Sequence, residues 1–132
     1  MIKNTFIRYI LLISSGFIYT ASFSPLDFKI GIFISIFIYF YLISNSSRKS
    51  SILESYVYGL AIFTSGVSWI FNSIYYYGGE YFLFSIMMTA MFIIFISIFF
   101  IPIGIFINKQ NNLASMHYPL VAASIWVLME II

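Results

Sequence analysis

YVYGLAIFTSGVSWIFNSIYYYGGE, the stretch from Tyr56 to Glu80, decides the fold that we expect for this chain. It is long enough to cross a bilayer, because a transmembrane helix needs about 20 mainly apolar residues. Its apolar run also carries glycines, hydroxyls, an amide and a tryptophan, and it ends in three tyrosines and Gly78-Gly79. A helix that served only as an anchor would not need so many polar groups in hydrocarbon. We therefore interpret the plainer neighbouring segments as its support.

The polar residues of this stretch follow a helical spacing. Ser65, Ser68 and Asn72 are separated by three and then four residues, so on a helix they share one face. One interpretation is packing, because small residues let helices approach and each cross-helix bond from Ser or Asn contributes about 1 kcal/mol. The other is that Trp69, Asn72, Ser73 and the tyrosines line a cavity for a lipid or its headgroup.

The composition is typical of a protein that lies in a bilayer. The 132 residues are 62% hydrophobic and 8% charged, whereas soluble domains are about 25% charged. We therefore predict an all-α fold, a single domain made of a polytopic transmembrane bundle of about five helices. The predicted helices cover residues 6–23, 28–44, 54–77, 81–107 and 113–132 of a domain that covers 1–132.

The charges between the predicted helices indicate the orientation of the bundle. If the helices cross in turn, most cations fall on one side and Lys29 alone falls on the other. Cytoplasmic loops carry the excess of Lys and Arg, so the N-terminus is predicted to be cytoplasmic. The tyrosines before and after the Gly-Gly turn then lie at the outer boundary, where amphipathic rings are favoured. The cations on the inner side are Lys3, Arg8, Arg48, Lys49 and Lys109.

Residues for familiar catalytic and metal sites are scarce. The chain has no cysteine and one histidine, His117, so we predict no thiol nucleophile, no metal and no cofactor. It has no GxSxG, no HExxH and no phosphate-binding glycine loop, and it has no basic stripe for nucleic acid. Glu54 is expected to cap its helix or to lie at the inner interface. Glu130 is either a functional acid within a membrane segment or a solvated one at the outer end of the fifth helix.

Three stretches, in order, resemble the N-terminal membrane part of the bacterial apolipoprotein N-acyltransferase family. ASFSPLD, residues 21–27, is similar to the hairpin after the first helix of that family. GVSWI, residues 66–70, followed by Ser73-Ile74 and Gly78-Gly79, is similar to its third-helix signature and is the most specific match. Pro119-Leu120 with WVLME, residues 126–130, is similar to the entry of the next helix, although Ile131-Ile132 departs from the usual Trp and basic residue.

The resemblance implies the last step of lipoprotein maturation, in the bacterial cytoplasmic membrane. An acyl chain passes from a phospholipid donor to an enzyme cysteine, and then to the N-terminal cysteine of a lipidated apolipoprotein. The Glu, Lys and Cys of this chemistry belong to a nitrilase-like domain that these residues lack, so no catalytic residue is carried over and the chain is expected to be inactive alone. The polar helical face of residues 56–80 and the resemblance together give the residues that we expect to face a lipid or its headgroup. They are Trp69, Asn72, Ser73, Tyr76, Tyr77, Gly78, Gly79, Trp126 and Glu130.

The C-terminal end of the sequence has no polar residues after Glu130. We therefore expect an N-terminal fragment of a larger enzyme. The alternative is a free-standing five-helix membrane protein, either a small permease or an assembly subunit. A nitrilase-like reading frame after Ile132 would favour the first hypothesis, and a stop codon followed by an unrelated gene would favour the second.

Overall fold

The computed structural model describes residues 5–23, 26–109, 123, 124 and 127. This part of the chain contains helices and no strand, so the predicted all-α fold is confirmed. A 3₁₀ turn, Ile98–Phe100, joins the helix Phe82–Ser97 to the helix Ile101–Lys109. Of the predicted segment 113–132, only Ala123, Ser124 and Val127 are described, and all three are helical. The helices are α1 Thr5–Ala21, α2 Ile30–Ser44, α3 Arg48–Gly66, α4 Ile70–Asn72 with a π-helix Ser73–Tyr77 after it, α5 Phe82–Ser97 and α6 Ile101–Lys109.

Few of these helices meet the length and hydropathy of a membrane span by themselves. Phe82–Ile107 does so, with 26 residues and a mean hydropathy of 2.8. Arg48–Gly66 and Ile70–Tyr77 do so only as a pair, and the two are bent by 52°. The helices α1 and α2 are apolar but have only 17 and 15 residues. The described residues thus contain one or two spans on these criteria, and crossing by all the predicted helices stays a prediction.

The third predicted helix, 54–77, differs from the structure at its start and in its middle. The observed helix, α3, begins at Arg48 because Ser47 caps it: the Ser47 side chain accepts a hydrogen bond from the Ser50 amide. It ends at Gly66, and the chain bends through residues 67–69. Ser65 Oγ lies 2.8 Å from the carbonyl oxygen of Ala61 and 3.1 Å from that of Ile62, a back-bonding pattern that bends helices.

Helix α3 is the centre of the bundle, because α1, α2, α5 and α6 all pack against it. Tyr39 and Tyr58 stack with ring centroids 4.1 Å apart. Their buried hydroxyls are bonded, Tyr39 to Ser55 at 2.9 Å and Tyr58 to Ser35 at 2.7 Å, so the core carries no cost from these polar groups. The buried apolar core is Leu12, Tyr39, Leu42, Ile43, Tyr58, Ile62, Phe100, Ile103 and Ile107.

Glycines allow the backbones of neighbouring helices to approach closely. A Cβ placed on Gly16 of α1 would lie 2.5 Å from the Cβ of Ala61 in α3. A Cβ on Gly104 of α6 would lie 2.6 Å from the carbonyl oxygen of Ser51, whose hydroxyl donates to the Gly104 carbonyl at 2.9 Å. Close approach through small residues is the packing mode of membrane helices, and it fixes how α1 and α6 sit on α3.

Candidate functional site

A groove opens beside the end of α3 at which the chain bends. Its volume is about 560 Å³, within the roughly 300–1,000 Å³ range of small-molecule sites. Most of its wall is apolar, and Phe17, Phe23 and Leu26 are exposed there. No charged side chain lines it among the residues that the structure describes. The lining residues are Phe17, Thr20 and Ala21 of α1, Phe23 and Leu26 after α1, and Ser65 and Gly66 of α3.

The two hydroxyls in the groove are bonded to the protein. Thr20 Oγ1 and Ser65 Oγ lie 2.7 Å apart. Ser65 also donates toward the carbonyl of Ala61 at 2.8 Å, and Thr20 Oγ1 lies 3.0 Å from the carbonyl of Phe17. Because each hydroxyl has a single proton, both protons are used inside the protein. The pair joins α1 to α3 and leaves the groove suited to a hydrocarbon chain rather than to an anion.

The helical face proposed for Ser65, Ser68 and Asn72 does not continue through the bend. Ser65 faces α1 and lines the groove, whereas Ser68 and Asn72 are exposed. The reason is the change of helical winding: the amides of Phe71 and Asn72 bond to carbonyls three residues earlier, and the helix axis turns there. A periodicity that assumes one straight helix therefore fails after residue 66.

The predicted headgroup-facing residues that the structure describes lie at the last residue of the bend or after it, outside the groove. Trp69, Tyr76 and Tyr77 are exposed by 62%, 71% and 90%. Asn72 is also exposed, and Ser73 is half-buried. Their role as a lipid site stays a prediction. Trp126 and Glu130, the remaining two candidate side chains, lie outside the described residues.

The Gly-Gly turn is built as a reversal of the chain. Gly79 has φ of +67°, a left-handed conformation that glycine adopts without strain. Gly78 lies against the end of the π-helix, where a Cβ would be 2.5 Å from the carbonyl oxygen of Ile74. Both glycines are exposed. This turn returns the chain from the tyrosines into α5.

A buried ion pair lies at the opposite end of the bundle. Arg8 of α1 donates from Nε to Glu54 of α3 at 2.9 Å, and from Nη2 to the other carboxylate oxygen at 3.1 Å. Glu54 is 1% exposed, and Ser46 and Ser50 also donate to its carboxylate. Arg8 Nη2 further donates to the carbonyl of Leu42 at 2.7 Å and to Ser46 Oγ. This Arg8–Glu54 cluster ties together α1, α3 and the link after α2.

The position of Glu54 corrects the expectation that this acid caps its helix, whereas its place at the inner interface stays a prediction. The cap is Ser47, and Glu54 lies seven positions later, inside the bundle. A carboxylate can be buried there because a cation and several hydrogen bonds compensate its lost hydration. Sequence reasoning missed the pair because its members are 46 positions apart. The available signal was an acid and a cation, each next to an apolar helical run.

Groups of three or more side chains able to hold a metal ion are absent from the described part of the chain. The polar groups described above are hydroxyls and one ion pair that already satisfy one another. The groove beside the bend, with its apolar wall, is therefore the candidate site that the described residues offer.

Comparison with known proteins identifies the family. Residues 15–132 match the model of the apolipoprotein N-acyltransferase N-terminal domain. The chain is similar to apolipoprotein N-acyltransferases of Pseudomonas syringae pv. tomato, at 26% identity over 92% of this chain and 24% of the relative, and of Photobacterium profundum, at 26% over 98% and 26%. A third, from Methylococcus capsulatus, is 30% identical over 68% of this chain and 18% of the relative. The chain thus spans about a quarter of the length of the first two relatives. By this match over most of its length, the chain belongs to the apolipoprotein N-acyltransferase family, in the region of the N-terminal domain.

Proposed function

We propose that the chain is the membrane portion of an apolipoprotein N-acyltransferase of the bacterial cytoplasmic membrane, with its N-terminus on the cytoplasmic side. The match of residues 15–132 to the N-terminal domain of that family carries the proposal. The composition supports a membrane location, since 8% charged residues is a third of the usual share in soluble domains. The exposed apolar residues on α1, α2 and α5 support it as well, because large exposed apolar surfaces mark contacts with membrane or with other proteins.

The proposed reaction transfers one acyl group in two steps. A cysteine thiolate of the enzyme attacks the acyl carbonyl of a phospholipid ester, and the C–O bond breaks. The acyl group stays on the enzyme as a thioester, and the departing alkoxide takes up the proton given up by the thiol and leaves as a lysophospholipid. The N-terminal amine of the apolipoprotein then attacks the thioester, which forms an amide and releases the thiol. These 132 residues contain no cysteine, so the thiol must come from outside them. The function proposed for this chain is therefore to hold lipid substrates, and the chain by itself is expected to transfer no acyl group.

The groove beside the bend is the part of the chain that suits this function. An acyl chain needs an apolar wall without charges, and Phe17, Phe23 and Leu26 supply one. The hydroxyls of Thr20 and Ser65 are already hydrogen-bonded inside the protein, so they do not need water molecules in the groove. We assign the groove to an acyl chain of the phospholipid donor, with the headgroup beyond the end of α3 and near the predicted headgroup-facing residues.

A graft tests this proposal. The aligned N-terminal quarter of the Photobacterium profundum enzyme is replaced by this chain, and acyl transfer from phosphatidylethanolamine to a diacylated lipopeptide is followed by mass spectrometry. We expect transfer by the graft and none by the 132-residue chain alone in the same vesicles. A graft that enters the membrane, runs as a single species in size-exclusion chromatography and transfers no acyl group would overturn the assignment, as would transfer by the chain alone.

A further inference from the structure

The segment that starts at the last residue of the bend forms an exposed aromatic arm, which we define as residues 69–81. Phe71 and Tyr75 attach one side of the arm to α5, since their rings lie 5.6 Å and 5.8 Å from the ring of Phe82. Trp69, Tyr76, Tyr77 and Tyr81 lie on the free side, and Tyr81 is 86% exposed. The arm is thus fixed at its base and presents several amphipathic rings outward.

The length and direction of the arm exclude a membrane crossing by the arm itself. The three residues of α4 and the five of the π-helix rise about 12 Å, whereas the hydrocarbon core is about 30 Å thick. The arm is bent by 52° from α3. Gly79 then reverses the chain into α5. The arm therefore leaves the bundle at one end and returns to it at the same end.

The end of the bundle from which the arm leaves also carries exposed charges. The bond between Thr20 and Ser65 places the end of α3 level with the end of α1. The link from α1 to α2 follows at once and contains the exposed charges of Asp27 and Lys29. Charged side chains are costly in hydrocarbon, so this end of the bundle reaches the water boundary.

The composition of the arm suits this boundary better than either water or hydrocarbon. It contains no charged residue before Glu80, yet its exposed rings carry tyrosine hydroxyls and an indole N–H. Rings with an apolar body and a polar tip concentrate at the level of the lipid headgroups. We propose that the aromatic arm lies along the membrane–water interface, with Trp69, Tyr76 and Tyr77 among phospholipid headgroups and glycerol esters, and that it does not cross the bilayer.

The depth of Trp69 in a bilayer tests this inference without any enzymatic assay, so its outcome is independent of acyl transfer. In the full chain, Trp126→Phe leaves Trp69 as the single tryptophan. The variant is placed in phosphatidylcholine vesicles with bromine either high on the acyl chain, near the glycerol, or near its methyl end. We expect the high bromines to quench Trp69 about threefold more strongly than the deep ones, as for an interfacial indole.

Two further variants give the depth scale and an independent position. Ile94→Trp, in a background with both native tryptophans changed to Phe, places the indole on an exposed position of α5 inside the Phe82–Ile107 span and should show the reverse order of quenching. Tyr77→Trp in the same background should behave like Trp69. If the arm indoles follow the order of Ile94→Trp, the arm is buried in hydrocarbon. If only aqueous acrylamide quenches them, the arm is in water. Either result overturns the inference.

Discussion

Removal of Glu54 is the sharpest perturbation of this bundle. Glu54→Leu leaves the Arg8 guanidinium, whose side chain is 11% exposed, without its carboxylate partner. The carbonyl of Leu42 and Ser46 Oγ still accept from Arg8, but neither carries a charge. The hydroxyl of Ser50 also loses the carboxylate as an acceptor, whereas the hydroxyl of Ser46 keeps the carbonyl of Leu42 at 2.9 Å.

The expected magnitude follows from this uncompensated charge. Breaking a buried ion pair by removing one partner costs about 3–5 kcal/mol, because the remaining charge stays buried without compensation. We expect Glu54→Leu to fall in that range. The paired replacement Arg8→Met with Glu54→Leu should return the free energy of unfolding to within about 1 kcal/mol of the wild type, because buried ion pairs exchanged for apolar residues are often neutral.

The measurement is a double-mutant cycle of unfolding free energies in detergent micelles, by titration with a denaturing detergent and circular dichroism. Glu80→Leu is the matched control, since Glu80 is exposed and surface changes stay within about 0.5 kcal/mol. A cost of less than about 1 kcal/mol for Glu54→Leu would contradict a buried, uncompensated charge on Arg8. A cost of the double replacement equal to the sum of the two single costs would mean that the two side chains do not interact.

Three further outcomes follow from contacts elsewhere in the bundle. Gly16→Leu should lower the free energy of unfolding by about 1–3 kcal/mol in the same titration, because the added side chain meets the α3 backbone. Tyr58→Phe should cost only about 0.5–1.5 kcal/mol in that titration, since Ser35 keeps its bond to a backbone carbonyl of α1. Ala21→Phe fills the groove and should raise the apparent KM of the graft for phospholipid by about tenfold, or about 1.4 kcal/mol. The exposed α1 control Ile13→Phe should leave the KM unchanged, and equal effects of the two variants would contradict the assignment of the groove.

The all-α fold was predictable because composition and apolar run length determine it with little help from tertiary contacts. Runs of apolar residues separated by NSSRKSS and by Gly78-Gly79 predict helices and turns from backbone chemistry alone. The start of α3 was harder to place, because polar residues such as Arg48 and Lys49 suggest a loop, while a serine cap recruits them into the first helical turn.

The ion pair and the groove were not predictable from periodicity. A helical pattern states which residues share a face, but it does not state which faces of two helices meet. Arg8 and Glu54 come together because α1 and α3 pack closely at Gly16 and Ala61. The two charged residues are 46 positions apart, which is farther than any local sequence pattern extends. The groove depends likewise on where the bend ends α3, and that bend is absent from an ideal helical wheel.

The hydroxyls of the apolar helices show why counting polar residues is a weak guide to a lipid site. Ser85, Thr89 and Ser97 of α5 are buried, and each donates to the carbonyl four residues earlier. A hydroxyl bonded in this way satisfies itself within its own helix and needs neither a partner helix nor a ligand. What marks the candidate site is therefore the space left open beside Thr20 and Ser65, rather than the presence of those two side chains. Because the hydroxyls described above bond either within their own helix or to a neighbouring helix, the proposal of a lipid site rests on the shape of the apolar surface.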